Sequence, residues 1–174
     1  MAELTPMMQQ YMQTKKEYPD CILFYRLGDF YEMFYDDALT ASRELEITLT
    51  GKNCGQEEKA PMCGVPFHSC EPYINKLVEK GFRVAICEQV EDPKAAKGIV
   101  KRDVIRVVTP GTNVMTQSLD ESKNNFIMSV FCEDDLFGIG VCDLSTGEFG
   151  TTQVEHQDAL FDEMNKFQPS EIIC

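Results

Sequence analysis

The sequence predicts an α/β (α+β) chain: an N-terminal mixed β-sheet with flanking helices, followed by a second region with the element order βββαβ. In the first region, apolar runs of strand length alternate with segments of helical period, and in the second, three strand-like runs precede one helix. Charge divides the chain at the same place. Residues 1–113 contain 14 Lys and Arg against 17 Asp and Glu, whereas residues 114–174 contain 2 against 12. We therefore expect two domains.

The first helix is predicted to run from Pro6 to about Glu17. Thr5 is a typical N-cap residue, and proline fits the first helical position because its missing N–H would have no partner there. After this helix, the continuous apolar run Cys21–Tyr25 predicts a strand that is buried on both faces.

A β-hairpin is predicted next, with Gly28-Asp29 as a two-residue type II′ turn and Phe30–Tyr35 as the returning strand. Because strand side chains alternate between faces, Phe30 and Glu32 share one face and lie roughly 7 Å apart along the strand. A phenylalanine in a strand is usually part of the core. Beside a carboxylate at a hairpin tip it is a poor core residue, so the pattern also fits an exposed functional side chain.

The remaining elements of the first region follow from caps, breakers and periodicity. They are a helix over about 37–46 capped by Asp36-Asp37, a strand over Ile47–Thr50, a polar loop over Gly51–Lys59, an extended segment over Met62–His68, a helix over about 70–80 capped by Ser69, a strand over Phe82–Cys87, a basic turn over Lys94–Gly98 and a strand over Asp103–Thr109. Gly64 and Pro66 argue against a central strand in the extended segment, since proline cannot donate to a sheet ladder.

The second region follows a polar linker over residues 114–125. Its predicted elements are strands over Phe126–Cys132, Phe137–Asp143 and Glu148–Val154, a helix over Gln157–Phe167 and a strand that begins at Glu171. Three antiparallel strands, a helix and a further strand are the order in which an RNase-H-like fold begins. Because the chain ends on an apolar strand, we expect it to be a part of a longer protein.

Composition limits the class of protein. No apolar run approaches the roughly 18 residues of a membrane helix, and the N-terminus lacks the features of a signal peptide. The eight cysteines are therefore expected to be reduced thiols of a cytoplasmic protein. The net charge of −13 argues against nucleic-acid binding by composition alone. The basic cluster between Lys94 and Arg106, together with Lys52, either tracks a phosphate backbone or forms a solvated face.

Motifs of several catalytic classes are missing from the sequence, among them the P-loop, H-E-x-x-H and G-x-S-x-G. Cys63, His68 and Cys70 carry zinc-ligand chemistry but not the paired spacing of known zinc sites. RNase-H-like nucleases carry an aspartate in the middle of their first strand, where Phe126–Cys132 has none, although Asp143 ends the second strand. A nuclease and a purely structural or protein-binding domain remain the rival functions.

Five collinear segments closely resemble the MutS family of bacterial DNA mismatch sensors. They are TPMMQQY at 5–11, FYRLGDFYEMFYDDA at 24–38, PMCGVPFH at 61–68, VAICEQ at 84–89 and VVTPGT at 107–112. Residues 124–174 resemble the start of the family's connector domain through weaker motifs. One departure is Cys63, where a small residue such as alanine is usual in the family.

The resemblance implies a mechanism for the hairpin tip. The family's Phe-x-Glu motif falls on Phe30 and Glu32. Phe30 is then expected to wedge into the minor groove and stack on a mispaired or unpaired base, and Glu32 to hydrogen-bond the displaced base. The resemblance also implies DNA contacts for a further set: Lys52, Met62, Pro66, His68, Lys97 and Arg102.

The resemblance further implies domain bounds and partners. It assigns residues 1–113 to the mismatch-recognition domain, 114–125 to a linker and 126–174 to a partial connector domain. This part of the protein is then a binding module without catalysis, a cofactor or a metal. ATP and Mg²⁺ bind elsewhere in a homodimeric full-length protein, whose partners are mismatched duplex DNA and a MutL-type repair factor but no membrane. The expected location is the cytoplasm, on the nucleoid when DNA is bound.

Overall fold

The computed structural model describes residues 4–91, 96, 98–113 and 124–174. The chain divides into two compact units, Met1–Val108 and Thr109–Cys174. Among the described residues, the first unit combines three helices and the second unit one helix with a sheet that contains both parallel and antiparallel strand pairs, so the predicted α/β (α+β) class is confirmed. The predicted basic turn over Lys94–Gly98 and the predicted linker over 114–125 fall largely outside the described residues.

The first unit is built on one mixed sheet. Its strands are β1 (Cys21–Leu27), β2 (Phe30–Phe34), β3 (Thr50–Lys52), β4 (Ala60–Pro66), β5 (Arg83–Gln89) and β6 (Arg102–Val108), and its helices are α1 (Pro6–Glu17), α2 (Tyr35–Leu45) and α3 (Glu71–Glu79). The strand order is β3-β4-β2-β1-β5-β6. Strands β1 and β5 are parallel, and the other neighbouring pairs are antiparallel.

Helices cover both faces of this sheet. On one face, Tyr11 of α1 packs edge-on against Tyr25 of β1, with ring centroids 5.3 Å apart. On the other face, Ala38 of α2 and Leu77 of α3 pack in the same cluster as Phe24. Because β1 lies between these two clusters, it is apolar on both sides, as its unbroken apolar run predicts.

The second unit contains β7 (Phe126–Glu133), β8 (Leu136–Asp143), β9 (Glu148–Glu155), α4 (Gln157–Phe167) and β10 (Glu171–Ile173). The strand order is β10-β7-β8-β9, with β10 parallel to β7 and the β7–β9 meander antiparallel. Met128, Ile139, Val141 and Leu160 form its buried core. The predicted order βββαβ is confirmed.

The hairpin prediction is also confirmed. Leu27 of β1 pairs with Phe30 of β2, which leaves Gly28 and Asp29 as a two-residue turn. Gly28 has a φ of +56°, and Asp29 is not among the residues with positive φ. A positive φ at the first turn position alone is the pattern of a type II′ turn. The predicted helix α1 is confirmed as well, and the Thr5 hydroxyl accepts a hydrogen bond from the backbone N–H of Met8.

Two predictions on the β3–β4 side are wrong. The strand expected over Ile47–Thr50 instead begins at Thr50 and continues to Lys52, so Gly51 and Lys52 belong to a strand and not to a polar loop. The extended segment of Met62 lies in β4, which is paired on both sides. Pro66 is tolerated there because β3 pairs only with Ala60–Met62, so no described strand on that side needs its missing N–H.

The predicted caps of α2 and α3 are wrong too. Helix α2 begins at Tyr35, so the hairpin strand ends at Phe34 and Asp37 lies inside the helix. The Asp37 carboxylate is buried, accepts a hydrogen bond from the backbone N–H of Leu23 at 3.0 Å and pairs with Lys15 at 2.9 Å. A carboxylate used in this way stabilises the helix–sheet contact and is no longer available as a cap. Helix α3 begins after Cys70 without a side-chain cap, since the expected cap, Ser69, lies in a short 3-10 turn.

Candidate nucleic-acid interface

Phe30 is the exposed aromatic residue of the hairpin. It is the first residue after the turn, and 47% of its surface is accessible, whereas Phe34 of the same strand is buried. The core alternative for Phe30 therefore does not hold, since nearly half of its surface is open to water. Its position at the hairpin tip leaves the ring accessible to another molecule.

Glu32 lies on the same face of the sheet as Phe30, as the strand alternation predicts. Its Oε2 atom lies 2.5 Å from Nζ of Lys52, whose side chain reaches across β4 from β3. The Glu32 side chain is only 15% exposed, so the ammonium supplies part of the solvation that the carboxylate loses. The structure thus joins two residues that the sequence selected separately.

Gly64 lies opposite Glu32 at a close approach of two strand backbones. The two residues are directly paired across β4 and β2. A Cβ atom at position 64 would lie 3.5 Å from Cγ of Glu32 and 3.2 Å from the carbonyl oxygen of Tyr31, which is a tight contact with backbone. The absence of a side chain at position 64 therefore allows the backbones of β4 and β2 to approach closely beside Glu32.

The other predicted residues on β4 and after it differ in exposure. Pro66 is half-buried and pairs in register with Phe30, so it flanks the hairpin tip. Met62 pairs with Phe34 and packs against the α1 side of the core, which leaves it partly accessible. His68 is exposed in the 3-10 turn, with its ring edge-on to Phe67 at 5.7 Å between centroids.

Arg102 is used inside the first unit. Its Nε donates to the carbonyl of Arg26 at 2.7 Å, and its Nη1 donates to Gln10 at 3.0 Å and to the carbonyl of Val100 at 2.9 Å. The guanidinium also lies 5.2 Å from the centroid of the Tyr25 ring. These contacts give Arg102 a structural role. Lys97, also expected at the DNA, lies outside the described residues.

A side-chain cluster beneath the turn was missed in the sequence. Arg26, which precedes the turn, lies with its guanidinium carbon 3.3 Å from the centroid of the Phe67 ring and its Nη1 3.3 Å from Glu88. The Tyr31 hydroxyl donates to the same Glu88 carboxylate. Burial raises the pKa of Tyr31 above its ordinary value, and the hydrogen bond to Glu88 adds to this rise, so the hydroxyl stays a donor. Only the position of an arginine two residues before a glycine turn could have signalled this cluster.

The residues named for a nuclease site and for a zinc site are used inside the fold or lie apart. Asp143 is buried, and its carboxylate accepts hydrogen bonds from Asn125, Ser145 and Thr146, which hold the β8–β9 turn. Within the described ranges, no three His, Cys, Asp or Glu side chains converge as metal ligands would. Cys63 is buried with its thiol on the carbonyl of Ala38, and burial raises its pKa to about 11. No helix in the described part of the chain is long and apolar enough to span a membrane.

Comparison with known proteins covers nearly the whole chain. The family model of MutS domain I matches residues 5–117, and that of MutS domain II matches residues 125–174. Among similar proteins are the DNA mismatch repair protein MutS of Lachnoclostridium phytofermentans, 66% identical over 174 residues (100% of this chain and 19% of the relative), and that of Acetivibrio thermocellus, 62% identical over 176 residues (99% and 20%). The chain thus spans about a fifth of the length of these relatives.

Proposed function

Because the chain belongs to the MutS family, we propose that it is the part of a DNA mismatch repair protein that detects a mispaired or unpaired base in duplex DNA. The names of the relatives support a role in DNA mismatch repair. The exposed tip of the β1–β2 hairpin supports the proposed mode of detection. We assign residues 1–113 to recognition, 114–125 to a linker and 126–174 to the opening of a connector domain.

The observation that carries the proposal is the exposure of Phe30 at the tip of a hairpin whose other aromatic side chains face the core. In the proposed mechanism, the Phe30 ring inserts between base steps from the minor groove. Unstacking a step costs a few kcal/mol, and less where pairing is already poor. Phe30 therefore detects how easily a base step is unstacked, and this kind of recognition does not require a particular base sequence.

Glu32 and Lys52 give the second part of the mechanism. A carboxylate beside DNA is repelled by phosphate unless it gains a hydrogen bond there. In the free chain Lys52 balances the charge of Glu32. On DNA, Lys52 moves to a backbone phosphate and Glu32 accepts a hydrogen bond from the displaced base. Intact duplex offers no such donor, so the uncompensated carboxylate disfavours matched DNA.

The roles of the other residues that were predicted to contact DNA are assigned from their exposure and their partners in the chain. Pro66 and His68 flank the hairpin tip and are assigned to the groove and backbone, with Met62 behind them. Lys97 stays a prediction as a phosphate contact. Arg102 is assigned to holding the sheet end, since its donors already have partners in the chain.

The proposal for the whole protein rests on the family alone. By membership we propose a homodimer that acts in the cytoplasm and on the nucleoid, with ATP and Mg²⁺ bound outside the present residues and a MutL-type factor recruited afterwards. Within the present residues the proposed role is binding without catalysis.

A chimaera tests the proposed function, with this chain in place of the aligned fifth of the L. phytofermentans relative. The measured quantity is the mismatch preference, defined as the affinity for a duplex with one unpaired base divided by the affinity for the matched duplex. We expect a preference of at least tenfold at fixed salt concentration. Equal affinities, or cleavage of either duplex with Mg²⁺ that is lost in an Asp143→Asn variant, would overturn the proposal.

A further inference from the structure

Both carbonyl groups of the hairpin turn are held by donors from outside the turn. Nε of Arg26 donates to the carbonyl of Gly28 at 2.6 Å, and the backbone N–H of Phe67 donates to the carbonyl of Asp29 at 3.0 Å. Neither bond belongs to the β1–β2 ladder, since Arg26 donates through its side chain and Phe67 follows β4. The turn that precedes Phe30 is therefore fixed more tightly than hairpin formation alone requires.

Arg26 is itself held in place. Its side chain is only 15% exposed, and its guanidinium stacks on the Phe67 ring while pairing with Glu88. Phe67 thus contacts the turn twice, through its own N–H and through the arginine that lies on its ring. A planar guanidinium can stack and donate in two directions at once, which an ammonium cannot do.

The hydrogen bond to Gly28 selects one of two turn types. Types I′ and II′ differ by a flip of the central peptide, and the carbonyl of that peptide belongs to Gly28. Aspartate tolerates the positive φ that a type I′ turn would require of Asp29. The sequence of the turn therefore permits both types, and a donor on the Gly28 carbonyl favours the type II′ turn that is observed.

We propose that Arg26 is a positioning residue for mismatch recognition: it locks the type II′ turn and so fixes the direction in which Phe30 leaves the sheet. The inference rests on the proposed function of Phe30. A wedge that is already ordered loses less conformational freedom when it enters the duplex, so more of its contact energy favours the lesion. Arg26 acts through the turn and does not touch DNA, because its charge is paired with Glu88 within the chain.

The test compares Arg26→Lys with Arg83→Lys in the chimaera. Arg83 pairs with Asp20 in the same unit, and its strand position pairs with Cys21, at the other end of β1 from the turn. We expect Arg26→Lys to lower the mismatch preference about tenfold, a change of about 1.4 kcal/mol. The signal of 2-aminopurine beside the unpaired base, which reports unstacking, should fall in parallel. The slope of log affinity against log salt should not change, and Arg83→Lys should alter none of these quantities.

A second variant changes the turn and leaves Arg26 in place. Gly28→Asn with Asp29→Gly creates an Asn-Gly pair, which favours a type I′ turn of the same length and preserves the strand register. We expect it to lower the mismatch preference by a similar factor, with the thermal unfolding midpoint within a few degrees of that of the unchanged chimaera.

The outcomes separate this inference from the proposed function. If Phe30→Ala abolishes the preference while Arg26→Lys and the Asn-Gly variant keep it, Phe30 is the wedge and the positioning role of Arg26 is wrong. A salt slope reduced by about one in Arg26→Lys would also contradict the inference, because it would indicate a lost phosphate contact. If Phe30→Ala itself leaves the preference unchanged, the proposed function fails first.

Discussion

Nζ of Lys52 lies 2.5 Å from the carboxylate of Glu32, and the strand that separates them carries glycine where it faces that carboxylate. The pair combines a cation suited to phosphate with an acceptor suited to a base edge. In the free chain each group satisfies the other. In the proposed mechanism, duplex DNA with a displaced base offers both groups another partner, so binding would exchange this ion pair for two contacts with DNA.

Glu32→Ala should reduce discrimination more than affinity. Without the carboxylate, the repulsion from matched duplex disappears along with the hydrogen bond to the displaced base. We expect the affinity for matched DNA to stay constant or rise and the mismatch preference to fall about tenfold, since a hydrogen bond to a charged group contributes about 1.5–3 kcal/mol. Competition binding of both duplexes by the chimaera measures this.

Glu44→Ala is the matched control for Glu32→Ala. Glu44 pairs with Lys80 at 2.8 Å in the same unit, between α2 and the end of α3, away from the hairpin. Its removal should lower neither affinity. An equal loss of affinity for both duplexes in Glu32→Ala would contradict the role assigned to Glu32.

Lys52→Met should weaken binding to both duplexes and change its salt dependence. A lysine that neutralises one phosphate contributes about 0.9 to the slope of log affinity against log salt for duplex DNA. We expect the slope to fall by about that amount. Titrations between about 50 and 200 mM salt, in which such contacts change the affinity strongly, would check it. An unchanged slope would show that Lys52 stays on Glu32 in the complex, and Lys80→Met serves as the control.

Gly64→Ala should disturb Glu32 without unfolding the sheet. The added methyl group would lie 3.2 Å from the carbonyl oxygen of Tyr31, so the β2 backbone beside Glu32 has to shift by a few tenths of an ångström, whereas its 3.5 Å distance to Cγ of Glu32 is an ordinary contact. We expect a several-fold loss of mismatch preference. Gly150→Ala, on β9, is the control because no atom outside its chain neighbours lies within 4 Å of its new Cβ. If Gly64→Ala and Gly150→Ala have the same mismatch preference, Gly64 has no role in mismatch recognition.

The stability of the second unit should depend on pH through Asp143. Burial alone would raise the pKa of this carboxyl group, but hydrogen bonds from Ser145, Asn125 and Thr146 outweigh it and lower the pKa. A lowered folded-state pKa stabilises the fold at pH values above the unfolded pKa of about 3.9, and this stability is lost as the pH falls through the folded value.

Urea unfolding of the 174-residue chain and its Asp143→Asn variant between pH 7 and 3 measures this dependence. The variant should be less stable at pH 7, and the difference should shrink below about pH 4. A constant difference would show that the loss comes from geometry and not from charge. Ser145→Ala removes the hydroxyl that donates to the same carboxylate at 2.6 Å and should show a smaller version of the same trend.

Much of the fold could be predicted from the sequence because local chemistry decides it. The Gly28-Asp29 turn, the cap at Thr5 and the alternation along β2 need only nearest neighbours. They placed Phe30 at the hairpin tip but left open whether it is a core or an exposed residue, and the structure shows it 47% exposed. The order βββαβ of the second unit was equally local, since short turns force neighbouring strands to pair.

The errors have a common cause in contacts between distant residues. Asp37 looks like a cap beside Asp36, but the backbone N–H of Leu23 and the ammonium of Lys15 attract it into the helix–sheet contact. Lys52 looks like a loop residue because only pairing with β4 makes its segment a strand. The bond from Arg26 to Gly28 is local, but Phe67 and Glu88, which hold the guanidinium, come from distant elements.

The role of Phe30 as the mismatch wedge is tested by the binding of Phe30→Ala to matched and lesion-containing duplex. The control is Leu39→Ala on α2, because Leu39 is 46% exposed and Phe30 is 47% exposed. We predict that Phe30→Ala abolishes the mismatch preference of the chimaera and leaves the affinity for matched DNA nearly unchanged. The unfolding free energy of the chain should stay within about 1 kcal/mol of the unchanged value. Leu39→Ala should change none of these quantities. A preference that survives in Phe30→Ala, with a loss of about 3 kcal/mol in stability as expected of a core residue, would contradict the account.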